Sequence, residues 1–441
     1  MKLLLGASYG EFLNEYEKTP SRALRMNGIY SDPAALDGDI PFALTPVPFD
    51  GGAFYFEAES DERPGSTALH HAGAFYIQEP SAMSPLSSVD IKEDAKILDI
   101  CASPGGKSIQ AAMKARNGVI VSNEIVPSRA ATLMGNIERM GIRNAIVTNT
   151  DSDALASWYR GVFNLVICDA PCSGEGMFRK NPLAVSEWSP ENVKMCAERQ
   201  RVILDNAAKT VAEGGYLLYS TCTFSLEENE MQVDSFLTRH PGFSLCEVRR
   251  EVKDHTADGV LFDGCAHGDI TKCRRFYPHI SRGEGQFFAL MQRNEAVTEQ
   301  INHKNSTGKL TAADEKTVSD FLKENVEESG NIALVGKTVS LAPDFPVPPF
   351  SVYSAGVKVG EVQKGRVVPH HQFFSALGQS FVRKTELDEA QIVKYLAGET
   401  FAADAPDGWC AVTVKGIPLG GAKAVSGTVK NHYPKGLRVK K

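Results

Sequence analysis

Residues 96 to 107 read Lys96-Ile97-Leu98-Asp99-Ile100-Cys101-Ala102-Ser103-Pro104-Gly105-Gly106-Lys107, and their reading decides the fold. A short apolar run bounded by a Pro-Gly-Gly turn predicts a buried strand, and the stretch through Lys114 predicts the helix that follows. Where such a helix opens, free backbone N–H groups and the helix dipole can face a ligand. The alternation repeats outward from this point. Residues 118–123, 145–148 and 165–168 read as further strands, and Pro127 and Gly141 bracket a helix between the first two. A long helix is expected over 192–212, closed by Gly214-Gly215, with a strand at 216–219. Ser225-Leu226-Glu227-Glu228 reads as a capping box opening a helix toward His240, and 286–291 as a late strand. Strands alternating with helices predict an α/β fold with a parallel sheet and crossover helices.

The chain has 441 residues, too many for one ordinary core. The expected division is an accessory module over 1–74, the α/β core over 75–295, a linker over 296–316, an intermediate domain over 317–385 and a β-rich end over 386–441. The polar run Asn302-His303-Lys304-Asn305-Ser306-Thr307-Gly308 suggests the linker. Further along, 319–331 and 388–397 read as helices, 412–414 as a strand, and Gly416 and Gly420-Gly421 as turns. Hydrophobic residues make up 42% and charged residues 23%, which excludes disordered, collagen-like and disulfide-scaffold classes. No apolar run approaches the roughly 20 residues of a membrane helix. The opening Met1-Lys2-Leu3-Leu4-Leu5-Gly6 is too short for a secretory segment, so a cytoplasmic protein away from membranes is expected. Nine cysteines, an odd number without regular spacing, fit reduced thiols.

A net charge of −7 speaks against nucleic acid. Residues 401–441, however, hold seven Lys and Arg against Asp404 and Asp407, a net +5, and leave −12 on the other 400. That segregation suggests a basic docking arm on an acidic body. Such an arm would be free to meet phosphate.

Glu124 ends the second strand, 25 residues after Asp99, where a carboxylate in such folds holds ribose hydroxyls. An adenosine-containing cofactor follows. Strand ends also carry Asp169-Ala170-Pro171-Cys172-Ser173-Gly174-Glu175-Gly176 and Ser220-Thr221-Cys222-Thr223-Phe224. A lone buried thiol is usually a small core hydrophobe. Two at the carboxyl ends of adjacent strands share the edge where ligands bind, which leaves nucleophilic use. If the cofactor donates a methyl group, the acceptor that needs a thiol is carbon 5 of a pyrimidine, made nucleophilic by addition at carbon 6. Asp169 can assist by bonding the ring near nitrogen 3.

These residues resemble the NOL/NOP/Sun family of RNA cytosine carbon-5 methyltransferases over roughly 22–293. Arg22-Ala23-Leu24-Arg25-Met26-Asn27 is similar to its amino-terminal signature, Tyr76-Ile77-Gln78-Glu79-Pro80-Ser81 to its lead-in segment, and 99–107 to its S-adenosylmethionine loop. The resemblance implies a Rossmann-like S-adenosylmethionine-dependent core with a small N-terminal α/β module and a C-terminal PUA-like module. It implies cofactor contacts from Cys101, Ala102, Ser103, Pro104, Gly105, Gly106, Lys107, Glu124, Asp151 and Asp169, with Asp153 offering the same side chain as Asp151. It implies Cys222 as nucleophile and Cys172 as the residue that assists product release, with Thr223 where the family usually has serine. DNA cytosine methyltransferases attack instead with the Pro-Cys thiol and lack the second.

Residues 174–180 and the tail resemble bacterial RsmF-type enzymes of 16S ribosomal RNA, with Gly408-Trp409, Pro418-Leu419-Gly420 and 430–438 similar to their PUA-like module. The implied partner is ribosomal RNA or the small ribosomal subunit, met by a monomer without a metal. Trp409 and Tyr433 either stack on bases or belong to a small β core. Rival readings are a transfer RNA or DNA cytosine methyltransferase, and a ribosome-assembly or RNA-binding factor that has lost catalysis. Cys265, His267 and Cys273 fit no common zinc spacing and read as a loop. His70-His71 and His370-His371 read as surface pairs, Asp61, Glu62, Glu327 and Glu328 as solvated, and Cys168 as core.

Overall fold

The computed structural model describes residues 1–30, 36, 39–57, 63–297, 305–328 and 330–439. The expectations for Asp61, Glu62, Asn302, His303, Lys304, Lys440 and Lys441 lie outside the described residues. The core sheet contains β1 (Lys96–Asp99), β2 (Val119–Asn123), β3 (Ala145–Thr148), β4 (Phe163–Asp169), β5 (Val211–Thr221), β6 (Phe243–Leu245), β7 (Ala257–Asp258), β8 (Arg274–Phe276), β9 (Gln286–Arg293) and β10 (Val352–Ala355). Their order is β7-β8-β9-β5-β4-β1-β2-β3-β10, with β6 beside β9. The five strands from β5 to β3 run parallel. Because β1 pairs both β2 and β4, the chain reverses its winding beside β1, and a cleft is expected at the carboxyl ends there.

Ile97, Leu98, Ile120, Val121, Ile146, Val147, Val166 and Ile167 are fully buried, and each contributes roughly 1.5–3 kcal/mol. The crossover helices are α1 (Gly106–Lys114), α2 (Pro127–Arg139), α3 (Ser152–Trp158) and α4 (Pro190–Thr210), with α5 (Glu230–Arg239) after β5. Two apolar cores cover the two faces.

Several boundaries differ from expectation. The long helix starts at Pro190, capped by Ser189, and stops at Thr210; Val211 turns extended and pairs with Phe163, so the two glycines lie inside β5. Ser225 to Glu228 is a turn and not a capping box. Helix α5 begins at Glu230, because the Glu228 carboxylate is drawn away to Ser173. The helix expected over 319–331 spans Ala312–Asn325, where Thr311 caps the amide of Asp314.

In front of the core, strands Leu44–Val47, Asp50–Phe56, Arg22–Met26 and Phe75–Ile77 form an antiparallel sheet in that order. Buried Arg25 and Asp50 make a two-point ion pair between two of them. The helix Tyr9–Glu15 puts Phe12 against Phe224, directly behind the Cys222 turn. After the core, Asn331–Val335, Thr338–Ala342, Val357–Gln363 and Arg366–Pro369 form a second small sheet, while β10 leaves it to extend the core beside β3. Glu328, expected in solvent, ion-pairs with Arg143 at 2.7 Å across this contact.

The C-terminal sheet orders Lys384–Glu386, Gly408–Val414, Ile417–Val425, Thr428–Asn431 and Phe401–Ala402. Gly416, with a φ of 73°, makes the expected turn. Gly420 and Gly421 do not; they sit inside a strand, where a Cβ on Gly421 would come 2.2 Å from the Phe374 ring.

This sheet also corrects the reading of 401–441 as a free arm. Phe401, Cys410, Val412, Ile417, Leu419, Val429 and Tyr433 share one core with Leu24, Met26 and Tyr30 of the front module. Tyr433 is core, not a stacking platform, and its hydroxyl lies 2.8 Å from His71 Nδ1. The histidine pairs are likewise packed between modules. Burial pushes His70 and His371 down to about 3. No helix among the described residues is long and apolar enough to cross a membrane.

Candidate active site

The quoted turn sits where β1 gives way to α1. Ala102 donates its amide to Asn123 O, and Gly105 takes a φ of 117° that only glycine adopts without strain. Helix α2 holds the turn from outside, since Asn136 donates to Pro104 O and Arg129 to Ser103 O. A Cβ on Gly106 would approach Gln78 and Tyr76 at 3.1 and 3.2 Å, so the lead-in segment packs tightly over the helix start.

Behind the turn, buried Asp99 accepts from Ser108 Oγ at 2.7 Å through Oδ2. Its Oδ1 has no hydrogen-bond partner among the described residues. Burial, together with the charge of Asp169, lifts Asp99 to about 7 against the pull of Ser108 and Lys107. Burial also raises the Cys101 thiol.

Glu124 closes β2, accepting from Val126 N at 2.9 Å and facing Arg129 at 3.4 Å. Arg129 thus joins the carboxylate to the glycine turn. Asp151 follows β3 and caps α3 through Ala154 N at 2.8 Å, while Asp153 lies exposed in the first helical turn. Asn123 ties these loops together by donating to Ile100 O and Thr150 O. An unpartnered buried carboxylate oxygen, a glycine turn at a helix start and strand-end carboxylates fit a polar, cationic, ribose-bearing ligand.

Asp169 ends β4. Its Oδ2 ion-pairs with Lys107 Nζ at 2.9 Å, and its Oδ1 accepts from Ser220 Oγ at 2.6 Å and Gln286 at 3.4 Å. Three residues on, Cys172 Sγ lies 3.4 Å from Cys222 Sγ. The structure therefore brings both predicted thiols to one point, on turns leaving neighbouring parallel strands in which Asp169 pairs with Ser220. The hydrogen-bond contact with Cys222, and then burial, raise Cys172 well above the ordinary thiol range.

Sequence reasoning did not single out Asn123, Arg129, Glu175 or Glu228. Asn123 is polar at the end of an apolar strand, a usable signal. Glu228 carries none, because its local pattern imitates a helix cap. The departure at Thr223 leaves a working hydroxyl, 2.9 Å from Ser173 Oγ. Cys265 and His267 gather around the Asp234 carboxylate, which also accepts from two backbone amides. A cleft of about 820 Å³ opens at the opposite edge of the sheet, by Lys96, Leu165 and Tyr216, and holds none of the groups above.

Three family descriptions match the chain: 16S rRNA methyltransferase RsmB/F over residues 87–292, the methyltransferase RsmF PUA domain over 382–439, and the N-terminal domain of 16S rRNA methyltransferase RsmF over 1–80. Ribosomal RNA small subunit methyltransferase F of Vibrio vulnificus (strain YJ016) is 32% identical, over 90% of this chain and 86% of its own length. The protein of that name from Serratia proteamaculans (strain 568) is 30% identical, over 98% and 93%. Among solved structures, a methyltransferase homologue from Pyrococcus horikoshii superposes with a TM-score of 0.57 at 25% identity, covering 65% of this chain and 91% of its own. NSun6 from Pyrococcus horikoshii shares the fold, with a TM-score of 0.56 at 20% identity over 67% and 96%.

Proposed function

The chain belongs to the 16S rRNA methyltransferase RsmB/F family, and from that premise we propose that it makes 5-methylcytidine in 16S ribosomal RNA. The supporting observation is the pair of sulfurs 3.4 Å apart beside Asp169. Methylation of an exocyclic amine or a ribose hydroxyl needs no covalent catalyst. Carbon 5 of cytosine does, and a thiolate adding to carbon 6 provides it.

S-adenosylmethionine, when bound, supplies an electrophilic methyl group. Cys101 to Lys107, Glu124, Asp151 and Asp169 are the residues that would hold it. The target cytidine leaves its stack at a cost of a few kcal/mol. Cys222 Sγ bonds to carbon 6, and the ring electrons move to carbon 5. Asp169 steadies the pyrimidine edge. Once carbon 5 is methylated, a base removes its proton, that C–H electron pair restores the carbon 5–carbon 6 double bond, and the carbon–sulfur pair leaves with Cys222 Sγ. The family resemblance assigns the attack to Cys222 and assistance in product release to Cys172, and the two sulfurs are close enough for both to act on one ring.

On this reading a cytoplasmic monomer meets the small ribosomal subunit. Trp409, Lys423 and Lys430 stand opposite one another on three adjacent C-terminal strands, with the Lys423 ammonium 5.5 Å from the Trp409 ring. Such a row of charge and aromatic surface suits RNA. Bisulfite sequencing of 16S RNA from cells with and without the gene tests the reading. A cytidine that loses protection when the gene is absent is expected; an unchanged pattern, with methyl transfer to transfer RNA or DNA instead, would overturn it.

A further inference from the structure

Behind the two thiols lies a crossed pair of carboxylates. Glu228 stands six residues after Cys222, yet it grips the other cysteine's turn. It accepts from Ser173 N at 3.0 Å and from Ser173 Oγ, and Gln200 donates to both Glu228 and Pro171 O. Glu175 stands three residues after Cys172 and grips the Cys222 turn, accepting from Thr223 Oγ1 at 3.2 Å and Phe224 N at 3.1 Å. Between them, the hydroxyls of Ser173 and Thr223, each directly following a cysteine, meet at 2.9 Å. Gly176 completes the crossing by donating its amide to Cys222 O at 2.9 Å.

Glu228, Thr223 and Gln200 are fully buried and Ser173 nearly so. A buried carboxylate is retained against its desolvation only when several donors satisfy it. Here the donors are the backbone and side chain of a turn that carries a reactive sulfur. An amide at 228 would turn one acceptor into a donor facing other donors, and so release the turn.

We propose that Glu228 and Glu175 are positioning residues that hold the Cys172 and Cys222 sulfurs at their working separation, each fixing the turn of the opposite strand. The proposal rests on the reading that these thiols carry the reaction. It assigns the family's reaction two further residues, acting through Ser173 and Thr223 and not on the substrate.

The test is iodoacetamide labelling of the full-length protein, without RNA or methyl donor, followed by peptide mass spectrometry at each cysteine. Glu228→Gln is expected to speed labelling of Cys172, and Glu175→Gln that of Cys222, by about fivefold or more, with half-exposed Cys246 unchanged. In both variants kcat should fall by about tenfold or more while KM for S-adenosylmethionine stays within about twofold. Thr223→Ser should retain wild-type labelling and Thr223→Val should not. If Glu228→Gln also exposes the core thiol Cys168, its fold is lost, and Glu175→Gln, at a half-exposed position, decides. Wild-type labelling and kcat in both carboxamide variants would overturn the proposal. If the wild-type protein methylated no cytidine while the two variants still showed these labelling shifts, the assigned reaction would fall and the clamp would stand.

Discussion

Cys172 Sγ lies 3.4 Å from Cys222 Sγ, although 50 residues of chain, including the longest helix, separate them. If one attacks and the other releases, their loss has unlike consequences. Cys222→Ala should abolish methyl transfer. Cys172→Ala should let methylated RNA accumulate as a covalent adduct, visible as a shifted band on a denaturing gel. Normal turnover in Cys222→Ala with a dead Cys172→Ala would assign the attack to the Pro-Cys thiol instead.

Proton release should accompany cofactor binding. Asp99 is lifted to about 7 from 3.8 by burial, so near pH 6.5 much of it is protonated in the folded protein and little in the unfolded chain. For this group stability falls as pH rises from about 4 to 7. A cationic ligand beside it favours the ionised form, so affinity for S-adenosylmethionine should climb through pH 7. Calorimetry at pH 6.5 in buffers of different ionisation enthalpy should detect up to about one proton released. Asp99→Asn should remove that release; a heat independent of buffer in the wild type would contradict the assignment.

Acid should loosen the junction of the front and C-terminal modules first. His70 and His371 are held down to about 3 by burial, so their contribution is complete above the ordinary value of 6.5 and is lost as pH falls from there toward 3. Each pH unit below 6.5 costs roughly 1.4 kcal/mol per buried imidazole that must charge. Melting temperatures measured from pH 7.5 to 4.5 should decline below about 6.5, and less steeply in His371→Asn.

The RNA surface is testable by charge rather than by truncation. Lys423 and Lys430 are exposed on the C-terminal sheet, so Lys423→Glu with Lys430→Glu should leave stability and cofactor binding intact. It should weaken RNA binding and reduce the slope of log K against log salt by about 1.4, near 0.7 per lost phosphate contact. An unchanged slope would move the RNA elsewhere on the molecule.

The order of strands and helices in the core is legible because apolar runs, glycine turns and Pro127 act locally. The same holds for the residues that end strands, such as Asp169 and Glu124, since the carboxyl edge of a parallel sheet follows from strand direction. What escaped depends on partners distant in sequence. Glu228 looks like a helix cap until Ser173 is placed beside it, and Gly420-Gly421 looks like a turn until Phe374 packs on it. The basic tail was misread for a related reason. Lys423 and Lys430 alternate with buried residues on their strands, and net charge does not register that alternation. His371 and Tyr433 face each other across a module boundary that no local pattern announces.

Strand β10 has a consequence for how the protein is made. It pairs with β3 from about 200 residues downstream, among the slowest kinds of contact for a chain to find. During synthesis the catalytic sheet therefore remains open on that side, with β3 presenting unpaired backbone groups, until residues 352–355 have left the ribosome. A prematurely terminated chain would contain both cysteines and the whole glycine turn and still expose a raw sheet edge. Completion of the catalytic sheet thus waits on residues translated about 200 positions after the strand they close.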